Sequence, residues 1–422
     1  MLFKLIRTKL ARSRYVQDIV WQLSGNTVAQ IIAVISIPII TRLYSPSDFA
    51  VLNLFVQLLT VFTIFITFRL EYFVVLPKQE SFAKDIVLSV FKIGFLMTLI
   101  NTFGFWHLSD FVGKLLGNEN IEPWLVLVPT SAFLVCISVA LQQAVQRERD
   151  FRSTGVAEVL NKAGYVTSVF SGALFLPSLL GLVLGSAVGS LIKSVWLSTK
   201  LTSAYWRGGF RSDFQAVSSY KQGAIIMSSS SLLATLGTFS PLVVISNLYG
   251  SNALGQFALV ISTLYLPSAV LGQAIGQVYF QRAASSFSKG ESFYSLFKVT
   301  LIQLCKIAVP LYILVMVSSY WLYPIVFGDQ WQEAGLYATM MCLASGVAFV
   351  SSPLDRTCMV VGAWWYMGVW NGLRLLLAIA VSITAWLNEW SPQLFVGAYA
   401  VQMSAIYLVD LYASYRFSKS ST

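Results

Sequence analysis

The feature that most constrains this chain is a stretch of 60 residues without a formal charge. No Asp, Glu, Lys or Arg occurs between Lys221 and Arg282, and a helix needs about 20 apolar residues to cross a bilayer. Over all 422 residues, 56% are hydrophobic and 11% are charged, whereas soluble proteins contain about 25% charged residues. These proportions exclude a soluble enzyme and indicate a polytopic membrane protein.

Apolar segments with few charges predict twelve transmembrane helices. Two boundaries follow from turn residues, at Leu176-Pro177-Ser178 and within 247–252. The predicted spans are 19–41, 49–70, 86–108, 123–145, 155–176, 179–200, 222–247, 253–278, 296–325, 333–353, 358–387 and 392–414. The predicted fold class is therefore an all-α polytopic membrane protein.

The basic residues predict how the chain is oriented, because Lys and Arg accumulate in cytoplasmic loops. With the N-terminus inside, the cytoplasmic segments contain 21 basic residues, and the external loops contain only Arg42 and Lys114. Both termini are expected in the cytoplasm. Topology thus accounts for the net charge of +10, and no nucleic-acid partner is expected.

The cysteines and the single histidine show no metal-ligand spacing. Cys136, Cys305, Cys342 and Cys358 lie singly in apolar stretches, and His107 lies beside Trp106 at the end of one. No metal, catalytic residue or bound cofactor is predicted. A proton or sodium gradient stays open as the energy source.

Two parts of the chain, 15–84 and 220–289, align at a constant offset of 205 residues. Leu43-Tyr44 falls on Leu248-Tyr249, and Ser81-Phe82 falls on Ser286-Phe287. Six spans separate the copies, so both enter the membrane with the same orientation. This predicts two six-helix lobes related by a parallel pseudo-twofold repeat, at 1–200 and 222–422, joined by a basic connection at 201–221. Such repeats place a substrate site between the lobes and are typical of transporters.

Charged residues within the predicted spans are the candidates for substrate binding, because each needs a partner, a route to the interface or a water-filled cavity. Arg69 and Glu71 lie near the end of the second span, where either an interfacial pair or the lip of a cavity fits. Lys306 and Arg374 lie at least ten residues into their spans, which favours a place on a cavity wall. Snorkelling to the interface is expected for two lysines nearer the span ends, Lys162 and Lys193.

The first span also carries polar residues that are expected to face protein or water rather than lipid. Gln22, Asn26 and Gln30 fit either helix packing or a cavity, and Asn26 is included among the substrate-binding candidates. Asp18, and Asp355 later in the chain, are expected near the interface and are candidates for carrying a coupling proton. Since basic residues outnumber acidic ones in the spans, an anionic substrate is favoured.

Four segments resemble bacterial polysaccharide-repeat flippases of the Wzx type. They are SGNTVAQIIAVISIPIITRLYSPSDFAVL (24–52), RLEYFVVLPKQESFAKDIVLS (69–89), LQQAVQRERDFRSTGVAEVLNKAG (141–164) and WNGLRLLLAIA (370–380). The resemblance covers nearly the full chain, through loose patterns rather than invariant residues. Arg69 and Glu71 fall on an Arg-x-Glu of these proteins, and Arg374 falls on an arginine of their eleventh span.

This resemblance implies a fold like that of the MATE-related multidrug and oligosaccharidyl-lipid exporters. It implies an inner-membrane flippase that moves an oligosaccharide repeat unit on undecaprenyl pyrophosphate to the periplasmic leaflet by alternating access, for O-antigen or another surface polysaccharide. The expected partners are the lipid-linked oligosaccharide and the polysaccharide polymerase machinery. Three alternatives stay open: a cation-coupled multidrug exporter; an integral-membrane glycosyltransferase or polymerase, less favoured by the short external loops; and a scaffold or assembly subunit.

Overall fold

The computed structural model describes residues 14–175, 178–201 and 214–419. Nearly all of these residues are helical, and no β-strand occurs among them. The predicted fold class, an all-α polytopic membrane protein, is confirmed. The turn predicted at Leu176-Pro177 and most of the predicted connection at 201–221 lie outside the described residues.

Twelve long helices make up most of the described chain. They are α1 (Arg14–Leu43), α2 (Pro46–Thr67), α3 (Glu80–Leu115), α4 (Leu127–Arg147), α5 (Phe151–Phe175), α6 (Ser178–Ser198), α7 (Phe214–Leu264), α8 (Gln273–Ser288), α9 (Tyr294–Phe327), α10 (Gln332–Ser351), α11 (Trp364–Leu387) and α12 (Pro392–Lys419). Short helical turns lie at Leu70–Phe73, Glu119–Ile121, Glu122–Leu125, Asp329–Trp331 and Thr357–Val360, and a π-helical turn lies at Ser268–Gly272.

The helix α7 is interrupted at Gly250, where φ is 82° and ψ is 177°. A side chain rarely adopts a positive φ, so glycine permits this turn at little cost. The turn falls within the boundary that the sequence predicts at 247–252. It divides α7 into two crossings, the second of which continues towards α8 through the π-helical turn.

Ten helical segments in the described part of the chain are long and apolar enough to cross a membrane. One of them, Ser218–Ser288, contains the turn at Gly250 and therefore two crossings. The helix α5 is 25 residues long but too polar to be among the ten, since it carries Glu158 and Lys162. With α5 included, the described helices correspond to the twelve predicted spans.

Some helix ends of the two halves coincide when the chain is shifted by the repeat offset. An offset of 205 residues places Ser45, in the turn between α1 and α2, on Gly250, and places Leu127, where α4 begins, on Gln332, where α10 begins. The two turns are built differently. At Ser45 the chain uses a capping box, in which Ser45 N–H donates to Asp48 Oδ2 (2.9 Å) and Asp48 N–H donates to Ser45 Oγ (3.2 Å).

The contacts divide the chain into two compact units. Unit 1 consists of Met1–Ile40, Phe55–Lys114 and Glu119–Leu232, and unit 2 consists of Thr41–Leu54, Leu115–Asn118 and Leu233–Thr422. The predicted lobe boundaries, 1–200 and 222–422, stay a prediction. Unit 1 has an apolar core in which Val74, Ile86, Leu141 and Leu197 pack together.

Unit 2 holds the early segment Thr41–Leu54 through polar contacts. The carbonyl of Thr41 accepts hydrogen bonds from Gln330 Nε2 (2.7 Å) and from the indole nitrogen of Trp331 (2.9 Å). Trp331 is fully buried, with its ring 5.0 Å from that of Phe49. Arg42 Nη2 donates to the carbonyl of Ile325 at 3.1 Å. Polar groups at residues 41 and 42 are thus hydrogen-bonded to residues 325–331, far along the chain.

Candidate functional site

Arg69 and Glu71 lie together just after α2, in unit 1. Their closest approach, from Nη1 to Oε1, is 3.9 Å, well beyond the 2.7–2.9 Å or so of a charge-assisted hydrogen bond. The Arg69 side chain is 15% exposed, and its Nε is buried with no hydrogen-bond partner among the described residues. The ring of Tyr72 lies 5.6 Å from Cζ. The guanidinium therefore keeps a donor that another group can use.

The backbone that carries Arg69 is unusual. Phe68 and Arg69 are consecutive non-glycine residues with positive φ, 52° and 59°. Such conformations cost about 1–3 kcal/mol each and persist where the surrounding structure imposes them. The strain ends α2 at Thr67 and sets the position from which the Arg69 side chain leaves the chain.

Glu71 is satisfied mainly by Thr67, not by Arg69. Thr67 Oγ1 donates to Glu71 Oε2 at 2.6 Å, and the Glu71 side chain is 1% exposed. Burial raises the pKa of Glu71, an effect that the Thr67 hydrogen bond and the Arg69 charge oppose without cancelling it. Arginine stays protonated, and the nearest carboxylate oxygen does not form a close ion pair with it, so the guanidinium suits an additional anion.

The polar residues of α1 contribute to helix packing. Thr154 Oγ1, on α5, donates to Gln22 Oε1 at 2.6 Å, and Gln22 Nε2 lies 3.5 Å from Asn26 Oδ1. A Cβ added to Gly25 would lie 2.4 Å from the Cα of Gly155, so α1 and α5 touch through their backbones. Gln22 therefore contributes to the packing of α1 against α5, and whether it also faces a cavity stays a prediction. Asp18 lies within α1, and its side chain is outside the description.

The ammonium of Lys193, on α6, pairs with a neighbouring carboxylate and does not extend to the membrane interface. The expectation of snorkelling is therefore wrong for this residue. Its side chain is 7% exposed, and Nζ lies 2.8 Å from Glu158 Oε1 on α5. Gln142 Nε2, on α4, donates to the same oxygen at 2.9 Å. The carboxylate of Glu158 therefore compensates the charge of this ammonium inside the protein.

Lys162 lies one helical turn after Glu158 and interacts with it electrostatically. Its Nζ is 4.9 Å from the ring centroid of Tyr165. Together, Lys193, Glu158 and Lys162 form a partly buried cluster with one excess positive charge. Whether Lys162 or Lys193 contacts substrate stays a prediction.

The two predicted residues of unit 2 differ in their surroundings. Lys306 is exposed on α9, and no carboxylate of the described residues lies within ion-pair distance of it. Arg374 is half-buried on α11, over the ring of Trp370 at 5.7 Å, and interacts electrostatically with Tyr399. Arg69, Glu71, Asn26 and the N-terminal lysines lie in unit 1, whereas Lys306 and Arg374 lie in unit 2.

Sequence reasoning missed Asp410, a buried carboxylate on α12. Ser351 Oγ donates to its Oδ2 at 2.6 Å, and Tyr366 OH donates to its Oδ1 at 3.1 Å. The signal was present, since Asp410 is the one charged residue between Glu389 and Arg416. Asp355, after α10, interacts with it electrostatically. Desolvation by the surrounding protein, and then the charge of Asp410, raise the pKa of Asp355 to about 7, although its side chain retains access to solvent.

The chain resembles known proteins in sequence. Residues 39–335 match the family described as "Polysaccharide biosynthesis protein". The chain is 20% identical over 353 residues to the lipopolysaccharide biosynthesis protein WzxC of Escherichia coli (strain K12). The aligned residues cover 82% of this chain and 70% of WzxC.

Solved structures with a similar fold share little sequence with this chain. The lipid II flippase MurJ in an inward closed conformation has a TM-score of 0.75 at 9% identity, covering 96% of this chain and 90% of that one. An inward-facing multidrug resistance MATE family transporter of the MOP superfamily has a TM-score of 0.71 at 10% identity, covering 94% and 95%. At such low identity these likenesses show the fold alone.

Proposed function

Because the chain belongs to the family of polysaccharide biosynthesis proteins, we propose that it is a flippase for a lipid-linked oligosaccharide. The substrate would be a repeat unit on undecaprenyl pyrophosphate, moved from the cytoplasmic to the periplasmic leaflet of the bacterial inner membrane by alternating access. Both termini would be cytoplasmic. The protein would make and break no covalent bond, and polymerisation of the repeat units would fall to separate partners.

The observation that carries the proposal is the buried guanidinium of Arg69. It keeps an unused Nε–H and lies 3.9 Å from its nearest carboxylate oxygen, in a chain with a polysaccharide-biosynthesis family match and a fold like that of a lipid flippase. A guanidinium with free donors suits phosphate oxygens. A charge placed there needs compensation, and a substrate pyrophosphate would supply it.

One observation favours a second function, a cation-coupled multidrug exporter. Carriers of organic cations are expected to place carboxylates inside the protein. The structure has a buried carboxylate, Asp410, with Asp355 near it, in a fold shared with a multidrug transporter. The same pair would also suit proton coupling in a flippase, so an experiment on the cargo must decide.

The deciding experiment is a chromosomal deletion in the native host. Undecaprenyl-linked sugars are extracted and surface polysaccharide is stained. We expect surface polymer to disappear while lipid-linked single repeat units accumulate in the inner membrane. Unchanged polymer, with new sensitivity to cationic dyes, would overturn the flippase proposal in favour of drug export.

Complementation of the deletion tests the role of Arg69. We expect Arg69→Ala, at wild-type membrane abundance, to leave the lipid-linked units accumulated. Lys78→Gln is the matched control, because it removes an exposed basic residue from the same connection between α2 and α3 and should restore polymer. Equal restoration by both variants would exclude a role for the Arg69 charge.

A further inference from the structure

Arg374 lies in unit 2 among aromatic residues of α11 and α12. Its Cζ is 5.7 Å from the ring centroid of Trp370, within the range of a cation–π contact. The Trp370 and Tyr407 rings are 5.9 Å apart. The guanidinium interacts electrostatically with Tyr399, which is almost fully buried, and with Tyr407. Neutral aromatic groups therefore surround the cation.

No acidic partner for Arg374 is present in the described part of the chain. None of the ion pairs there involves it, and its Nε is buried without a hydrogen-bond partner. A charged side chain in the middle of a membrane-spanning helix is stable only with a partner or water. The ring contacts offset part of this cost, but a group of opposite charge would offset more.

Further buried polar atoms on α7, α11 and α12 also lack hydrogen-bond partners among the described residues. They include Trp370 Nε1, both polar atoms of the Gln402 amide, and Ser240 Oγ. Gln402 follows Tyr399 by three residues on α12, so the two share a helix face. Ser240 follows Gly237 by three on α7, and a Cβ on Gly237 would lie 3.9 Å from the Arg374 side chain. Buried polar atoms are nearly always paired, so unpaired ones on the helices that flank this cation point to a bound polar molecule.

These groups have the chemistry of a site for an acidic sugar. Aromatic rings pack against the apolar face of a sugar ring, an amide and an indole N–H bind hydroxyl groups, and a guanidinium binds a carboxylate through two parallel hydrogen bonds. We infer that Trp370, Arg374, Tyr399, Gln402 and Tyr407 bind a carboxylate-bearing sugar of the transported oligosaccharide. This inference rests on the proposed function and adds that unit 2 binds the sugar portion of the substrate.

The test is ligand-dependent thermal stability of the purified full chain in detergent. Sodium glucuronate, glucose and inorganic pyrophosphate serve as probes, because a ligand that binds the folded state raises Tm in a concentration-dependent way. We expect glucuronate to raise Tm at concentrations where glucose does not. Arg374→Gln should weaken the apparent affinity for glucuronate by about tenfold or more.

Two further variants test whether a lost glucuronate response reflects loss of the binding site or loss of folding. Lys298→Gln removes an exposed charge of unit 2 and should respond to glucuronate like the wild type. Gln402→Leu retains Arg374 but loses the amide, and we expect a weaker glucuronate response with unchanged Tm in the absence of ligand. If Arg374→Gln does not fold, the Gln402→Leu result decides.

Each adverse outcome has a distinct meaning. Equal responses to glucuronate and glucose, or a glucuronate response that survives both Arg374→Gln and Gln402→Leu, would overturn the inference. A response to pyrophosphate alone that depends on Arg374 would also overturn it, by making the cluster a phosphate site. None of these results alters the cargo measured in the deletion strain, so the inference and the proposed function fail separately.

Discussion

The ammonium of Lys193 lies 2.8 Å from the carboxylate of Glu158, with the lysine side chain 7% exposed. We expect Glu158→Gln to destabilise the protein by about 3–5 kcal/mol, because it leaves a buried charge unpaired. Lys193→Met should be milder, since Glu158 retains Gln142 and Lys162 nearby. The double variant should recover much of the loss, and Tm in detergent measures all three.

The control for this pair is Lys114→Gln, which breaks an exposed ion pair with Asp110. Exposed pairs contribute little, so no measurable change in Tm is expected. A Glu158→Gln protein as stable as the wild type would show that the pair does not stabilise unit 1.

The contact between α1 and α5 depends on two glycines. A Cβ on Gly25 would lie 2.4 Å from Gly155 Cα, so Gly25→Ala should force the helices apart and destabilise the protein by about 1–3 kcal/mol. In Gly104→Ala the new Cβ has no neighbour within 4 Å, so Tm should not fall. Equal behaviour of the two variants in thermal melts would contradict the backbone contact.

Strain and charge at Arg69 can be separated by glycine substitutions. Phe68→Gly should not lower Tm and should restore surface polymer in the deletion strain, since glycine adopts positive φ readily. Arg69→Gly relieves the same kind of strain but removes the guanidinium, so we expect a stable protein that fails to restore polymer. Restoration by Arg69→Gly would show that only the backbone turn matters at this position.

Asp355 should make stability depend on pH near neutrality. Its pKa is raised to about 7, so the folded state holds a proton that the unfolded chain releases near pH 4. This contribution makes the wild type lose stability as pH rises from about 4 to 7. Asp355→Asn removes this pH-dependent contribution. The Tm of the variant should therefore rise relative to that of the wild type between pH 5 and pH 8.

The charged groups that face Asp355 are Asp410 and Arg356. Since the Asp410 charge raises the pKa of Asp355, Asp410→Asn should shift the transition to lower pH. Parallel wild-type and Asp355→Asn profiles from pH 5 to pH 8 would rule out titration of Asp355 in this range.

Trp331 anchors the segment Thr41–Leu54 in unit 2. Trp331→Phe retains an aromatic ring but loses the hydrogen bond to Thr41, leaving a buried carbonyl with one donor fewer, and we expect a loss of about 1–2 kcal/mol. Trp364→Phe is the control, because Trp364 is 61% exposed. Limited proteolysis near residue 45 should become faster in Trp331→Phe alone; equal rates would argue against the anchor.

The sequence predicts the helices well because hydrophobic length and turn residues act locally. The interruption at Gly250, which falls within the predicted boundary at 247–252, depends on residues within a few positions of each other. The resemblance to polysaccharide flippases also led to the family that the comparison shows. None of these predictions needed a distance between remote residues.

Pairings between remote residues were not predictable in the same way. Lys193 meets Glu158 across 35 positions and Ser351 meets Asp410 across 59, and neither spacing follows from a helical period. Snorkelling was expected for Lys193 because it lies near a span end, and the sequence does not reveal that Glu158, on another helix, is its partner. The roles of Arg69, Glu71, Lys306, Arg374 and Asn26 in binding substrate stay predictions.

The hydrogen bond from Trp331 to Thr41 spans 290 residues, which has a consequence for biosynthesis. At about 5–20 residues per second, the ribosome would deliver Trp331 roughly 15–60 s after Thr41. Throughout that interval the hairpin of α1 and α2 would lie in the membrane while the carbonyl of Thr41 lacked its hydrogen bond from Trp331. The earliest part of the chain to be inserted would thus be among the last to reach its final packing, and a chaperone or insertase would have that time to act on it.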